Sequence, residues 1–116
     1  MISYVLADCH LSGGAKVVFE HVRGLAERGY DAQLLYNTGN PSWFGYPVAT
    51  RRFGHPEELT EVRGIKVATW CGTAPWVAAS LRDGDKGFYL VQDIDEGTYL
   101  HREPTTYGLG LEHLVE

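Results

Sequence analysis

Cysteine is nearly absent from this chain: Cys9 and Cys71 are the only two in 116 residues. Two are too few for a disulfide scaffold, so both are expected as reduced thiols of an intracellular protein. Cationic residues are scarce as well, ten Lys and Arg against fifteen Asp and Glu, for a formal net charge of −5. That balance leaves no basic footprint, which excludes nucleic acid as an expected partner. Long apolar runs are missing too. Residues such as Asp8, His10 and Arg23 break every apolar stretch well short of the ~18 residues of a membrane span. The start, Met-Ile-Ser-Tyr-Val-Leu-Ala-Asp, has no basic residue and so does not read as a signal peptide. Neither an internal repeat nor a low-complexity segment is present. What remains is an ordinary globular composition, 44% hydrophobic and 22% charged. At roughly 100–200 residues per domain, the length suits a single unit.

Strands and helices alternate along the chain. Ile2 to Ala7 is a short apolar run, expected as a strand buried on both faces. Asp8 to Gly14 follows as a loop. A helix over Gly14–Arg28 comes next, with Val17, Val18, His21, Val22 and Leu25 on one side of its wheel and Glu20, Arg23 and Glu27 opposite. Gly29 is its expected stop. Asp31 to Tyr36 then closes a right-handed βαβ opening.

Further on, residues 37–47 form a structured loop rich in turn formers, and Val48 to Phe53 is a short strand. Pro56-Glu57-Glu58-Leu59 resembles a helical first turn, with proline at N1 and acids at the positive end. Ile65 to Trp70 is a strand, after which Thr73 caps a helix to about Arg82. Phe88 to Val91 is another strand, and residues 105–116 hold a short helix and the start of a further element. The expected fold is α/β and Rossmann-like, a doubly wound, mainly parallel sheet with helices on both faces. The apolar ending Leu111-Glu112-His113-Leu114-Val115-Glu116 is expected where a longer protein is cut before a further strand.

Chemistry is sought at the carboxyl ends of the strands, where open α/β sheets bind ligands. Ser12-Gly13-Gly14 sits after the first strand, where glycine lets backbone N–H groups approach an anion at a helix N-terminus. The spacing is not GxGxxG, so the dinucleotide fingerprint fails, and a plain tight turn competes with the anion site. Other strand ends supply Asp8-Cys9-His10, Asn37-Thr38, Trp70-Cys71-Gly72-Thr73 and Gln92-Asp93. His21 reads as a packed, hydrogen-bonded core histidine. Cys9, Cys71 and His10 lack zinc-ligand spacing and give no Cys/His nucleophile signature, so no metal is expected. Trp43, Phe44 and Tyr46 either stack on a sugar or partner or pin their own loop to the body. Asp93, Asp95 and Glu96 either bind hydroxyls, or act as a general base, or line a solvated loop.

The run Ser12-Gly13-Gly14, followed by Val17-Val18-Phe19-Glu20-His21-Val22-Arg23-Gly24-Leu25-Ala26-Glu27-Arg28-Gly29-Tyr30, resembles the amino-terminal domain of group 1 glycosyltransferases, retaining enzymes of GT-B fold. In that family a glycine loop precedes an amphipathic helix that ends in Leu-Ala-x-Arg-Gly-His-x-Val. Here Tyr30 replaces the usual His and Ala32 the usual Val. Val67-Ala68-Thr69-Trp70-Cys71-Gly72-Thr73-Ala74, Phe88-Tyr89-Leu90-Val91-Gln92-Asp93 and Thr106-Tyr107-Gly108-Leu109-Gly110-Leu111 are similar to the subset that includes rhamnosyltransferases.

The resemblance covers nearly the whole chain. It implies that residues 1–116 are the acceptor-side half of a two-domain enzyme that moves a sugar from a nucleoside diphosphate sugar to a saccharide or lipid-linked acceptor. It places Gly13 and Gly14 near the donor's phosphates or transferred sugar, and His10, Gln92 and Asp93 on the acceptor side. The family's E-x7-E element belongs to the second domain, so this chain is not expected to catalyse transfer without it. No cofactor is implied beyond the nucleotide-sugar substrate, and the setting is cytoplasmic or peripheral at the inner membrane face. The competing class is a non-catalytic α/β small-ligand-binding or signalling module. A phosphoacceptor receiver domain is a poor version of it, because only Asp8 of the required aspartates is present.

Overall fold

The computed structural model describes residues 1–92. Its five strands are β1 (Ile2–Asp8), β2 (Ala32–Thr38), β3 (Thr50–Arg52), β4 (Ile65–Ala68) and β5 (Lys86–Tyr89). They form one sheet, ordered β3-β2-β1-β4-β5, and every pairing is parallel. Two α-helices, α1 (Gly13–Glu27) and α2 (Ala74–Ser80), and two 3-10 turns, Pro41–Trp43 and Pro56–Glu61, complete the described elements. The architecture is α/β and Rossmann-like, with a doubly wound sheet. Among these residues no helix is long and apolar enough to cross a membrane.

The chain runs outward from β1 to β3, then returns to the far side of β1 for β4 and β5. Right-handed crossovers that travel in opposite directions along a sheet put their connections on opposite faces. The core divides accordingly. Tyr4, Leu6, Leu34 and Val67 pack under Ala15, Val18, Phe19 and Val22 of α1. On the other face Val5, Leu35 and Ala68 pack against Leu59, Val62, Ala74 and Val77. Alternating side chains of one central strand thus feed both cores.

Several boundaries and faces differ from the sequence expectation. α1 runs Gly13–Glu27, one residue earlier at each end than the expected Gly14–Arg28, and neither Gly13 nor Gly14 has a positive φ. The buried stripe of α1 is Ala15, Val18, Phe19 and Val22, a strict i, i+3, i+4, i+7 series. Val17 stands one step off that stripe and is 43% exposed. His21 is also exposed, not packed in the core, although its Nδ1 shares a 3.2 Å hydrogen bond with the Tyr4 hydroxyl. Gly29 does end the helix, with φ +88°, and Arg28 caps it by donating to the Gly24 carbonyl.

β4 stops at Ala68 because the Thr73 hydroxyl accepts the amides of Thr69 and Trp70, 3.2 Å each, and takes them out of the ladder. That hydroxyl therefore caps no amide of α2, contrary to the role expected of Thr73. β5 ends with its partner, two residues before the expected stop at Val91. α2 closes at Ser80 instead of Arg82, where Leu81 turns extended. Only Thr50–Arg52 of the expected Val48–Phe53 strand joins the sheet. The short helix and further element expected over residues 105–116 lie outside the described residues.

At the amino-terminal edge of the sheet, opposite the carboxyl ends of the strands, lies a buried ionic group. Lys66 is wholly enclosed, and its ammonium donates to the Leu59 carbonyl (2.7 Å), the Ser80 carbonyl (2.9 Å) and the Ser80 hydroxyl (3.1 Å). Asp85 lies 3.9 Å away and accepts from the amides of Gly64 and Arg82 and from the Arg63 guanidinium. All three ammonium protons have acceptors, so this lysine ties the Pro56–Glu61 turn and the end of α2 to β4.

Candidate functional site

The order of strands reverses between β1 and β4, the place where open α/β sheets leave a crevice at their carboxyl edge. A cavity of about 360 Å³ lies there. Leu6, Ala7 and Asp8 come from the end of β1, and Ser12, Gly14 and Ala15 from the start of α1. Thr69 and Trp70 follow β4, and Gln92 closes the far side. A second groove, lined by Gly13, Gly14, Val17 and residues 90–92, adjoins it across Gly14 and Gln92.

The wall at α1 is rich in donors. Ser12 spends its side-chain oxygen on the Ala15 amide (3.1 Å), and its carbonyl takes Lys16 N–H. Among the described residues, the Gly13 and Gly14 amides have no acceptor. Both glycines are exposed, and a Cβ on Gly13 would meet nothing within 4 Å. The positive end of a 15-residue helix therefore opens beside the crevice, uncovered by the described residues.

The opposite wall offers acceptors. Gln92 donates through Nε2 to the Thr69 carbonyl (3.3 Å), while its Oε1 is shielded from solvent and unpartnered among the described residues. That oxygen lies 3.7 Å from where a Gly14 Cβ would stand. Asp8 supplies a half-exposed carboxylate. The His10 amide and imidazole, each 2.9 Å away, hold that carboxyl below the usual range. Among the described residues, no Lys, Arg or His side chain lines the crevice.

The described hydroxyls and the Cys9 thiol near the crevice are engaged or buried. The Ser12 hydroxyl oxygen is committed to its cap, and the Thr69 hydroxyl donates to the Val5 carbonyl at 2.8 Å. Cys9 is wholly buried, and burial with nearby Asp8 pushes its thiol up, away from the reactive thiolate. The arrangement can bind and orient a polar ligand, with amide donors on one wall and carbonyl-type acceptors on the other.

The sequence candidates thus separate. Gly14 and Gln92 meet across the crevice, and Gly13 stands in the adjoining groove. His10 turns into Asp8 at the rim and does not line the cavity. Asp93, with Asp95 and Glu96, lies outside the described residues. The aromatic loop mostly pins itself down: Trp43 Nε1 donates to the Cys9 carbonyl at 2.8 Å, and Trp43 and Phe44 each pack 4.9 Å from Phe19. Tyr46 stays half-exposed under the Arg23 guanidinium, 3.4 Å above its ring. Sequence reasoning named Trp70 among the strand-end residues without giving it a role, and named Thr69 only within the run that carries the resemblance. Their position at the end of β4, next to the switch point, was the available signal.

Gly39 fixes the shape of the β1–α1 loop from below. Its φ is +94°, and a Cβ there would lie 2.8 Å from the His10 nitrogen and 3.0 Å from that of Cys9. The left-handed conformation alone costs an L-residue about 1–2 kcal/mol, and the backbone contact adds to it. Gly39→Ala is expected to lower the thermal midpoint by about 5 °C or more. A midpoint equal to that of the native chain in a calorimetric scan would show that the loop tolerates the added methyl.

The fold and crevice define a Rossmann-type α/β domain with a ligand-sized opening at its switch point. No protein-family model, no curated protein and no solved structure matches this chain.

Proposed function

We propose that this chain is the acceptor-side, amino-terminal domain of a retaining GT-B glycosyltransferase. The parent enzyme moves a sugar from a nucleoside diphosphate sugar to a saccharide or lipid-linked acceptor. The observation that carries this reading is the crevice at the β1/β4 switch point, with the uncovered N-terminus of α1 on one side and Gln92 on the other. Gly13 and Gly14 offer N–H groups, already aimed, to the negative charge that gathers on a departing phosphate. Gln92 and Asp8 face the same space with acceptors suited to hydroxyl groups.

In this mechanism the domain contributes orientation and electrostatics, while a second domain holds most of the donor. Bringing the two substrates together in one cleft makes the transfer effectively unimolecular. Of the rival small-ligand-binding or signalling module, the receiver-domain version loses support from topology. Receiver-type domains carry the strand order 2-1-3-4-5, whereas this sheet runs 3-2-1-4-5.

The test is made on the complete reading frame. It is expected to encode a second α/β domain with an E-x7-E element and to transfer labelled sugar from one of a panel of nucleoside diphosphate sugars. A reading frame without a second domain, or a two-domain protein inert with the whole panel, overturns the reading.

A further inference from the structure

Trp70 follows β4 and is 50% exposed where it lines the crevice. Its position is fixed on both sides. Its carbonyl accepts the Thr73 amide (3.0 Å), the Ala74 amide (3.1 Å) and the Thr73 hydroxyl (2.9 Å), while its own amide donates to that hydroxyl. Its indole occupies the space where a Cβ of residue 72 would stand, so that only glycine admits the ring. Gly72 has no positive φ, so the backbone does not demand glycine there. The indole does. A large apolar ring is thus seated firmly, yet half of it is left facing solvent at the mouth of a cavity, where burial would have stabilised the fold more.

The chemistry around the ring is of one kind. Among the described residues, Gln92 Oε1 is hidden and unpartnered, Asp8 presents a carboxylate, and no cation lines the space. An anionic ligand would meet the Asp8 charge with no counter-charge from a described side chain. A neutral ring that carries hydroxyl donors on its edges and an apolar C–H face would satisfy every group: hydroxyls donate to Gln92 and Asp8, and the face lies on the indole. We infer that Trp70, seated on Gly72, is the stacking platform of a neutral saccharide subsite in the β1/β4 crevice. This rests on the glycosyltransferase reading and deepens it: the ring of the acceptor lies between the strands, and the anionic part of the donor stays at the uncovered end of α1.

The test uses the chain of 116 residues, isotopically labelled, with methyl glycosides of a hexose and of a 6-deoxyhexose and with inorganic phosphate as separate probes. A glycoside is expected to shift the Trp70 indole N–H and the Gln92 side-chain amide resonances, while phosphate leaves both in place. Trp70→Ala should weaken glycoside binding about tenfold, followed at the Gly14 amide, and Trp70→Phe should keep most of it. Gly72→Ala, which retains the indole but displaces it, should weaken binding as Trp70→Ala does. That variant keeps the test valid where Trp70→Ala fails to fold.

Equal affinity in the native and Gly72→Ala chains, no response to either glycoside, or phosphate alone moving the crevice resonances would each overturn the assignment. The outcomes separate from those of the enzyme reading. Glycoside binding that depends on Trp70, in a parent inert as a transferase, keeps the subsite and rejects the enzyme. Transfer with an acceptor KM unchanged by Gly72→Ala keeps the enzyme and rejects the subsite.

Discussion

Lys66→Met is expected to cost about 3 kcal/mol of folding stability, because it strips the donor from three buried acceptors at once. Methionine fills nearly the same volume as the lysine stem, so packing changes little. What disappears is the ammonium that serves the Leu59 carbonyl, the Ser80 carbonyl and the Ser80 hydroxyl. A buried acceptor left unpaired costs about 1–3 kcal/mol. The Ser80 hydroxyl keeps its bond to the Val77 carbonyl, so the two carbonyl oxygens dominate the loss. Burial lowers the Lys66 pKa, as desolvation disfavours the charged form, while Asp85 at 3.9 Å works in the opposite sense.

Asp85 keeps the Gly64 and Arg82 amides and Arg63, which hold its carboxyl well below the usual range of about 3.9. A carboxyl whose folded pKa is depressed contributes stability that is fully present above the unfolded value and is lost as pH falls. Stability of the native chain is therefore expected to fall below about pH 4, and that fall should be shallower in Asp85→Asn. Urea unfolding at neutral and acid pH measures both effects. A Lys66→Met loss under about 1 kcal/mol would mean that water replaces the ammonium, contrary to the enclosure described.

The second large effect falls on activity. Gly14→Val in the complete parent enzyme is expected to lower transfer about a hundredfold while leaving the domain folded. The added Cβ lies 3.7 Å from Gln92 Oε1, an ordinary contact, and Gly14 has helical backbone with no positive φ. Stability therefore changes little, because the glycine's lost helix propensity of up to about 1 kcal/mol is partly regained by a β-branched residue. The two γ-methyls, however, project into the crevice and over the N–H groups that the proposal assigns to the donor. Misplacement of a substrate by about 1 Å is enough for a loss near a hundredfold. Thermal unfolding of this chain and steady-state transfer by the intact enzyme, measured on the same variant, separate the outcomes. Near-normal transfer per folded molecule would leave Gly13 and Gly14 as the first turn of a helix and nothing more.

The sequence by itself determined the elements and the kind of sheet. An apolar run at Ile2, a 3.6-residue stripe behind it and turn residues at fixed places are local signals, and the strands and α-helices they mark within residues 1–92 are present within a few residues. Gly29 ended α1 as expected, because a left-handed residue after a helix is a one-residue demand that glycine meets. The tertiary structure decided the rest, since it depends on pairs far apart in the chain. Val17 and Phe19 are both apolar, and which face of α1 packs on the sheet exposes the one and buries the other. Lys66 reads as a surface lysine until two chain segments deliver carbonyls to its ammonium. Thr73 reads as a helix cap, yet its hydroxyl faces back to residues 69 and 70 and ends β4 early. The crevice is the clearest case. Gly14, Trp70 and Gln92 come from three separate strand ends, and no local pattern ties them together. They meet because right-handed crossovers wind the chain outward from β1 in both directions, which leaves the gap between β1 and β4 uncovered at its carboxyl edge.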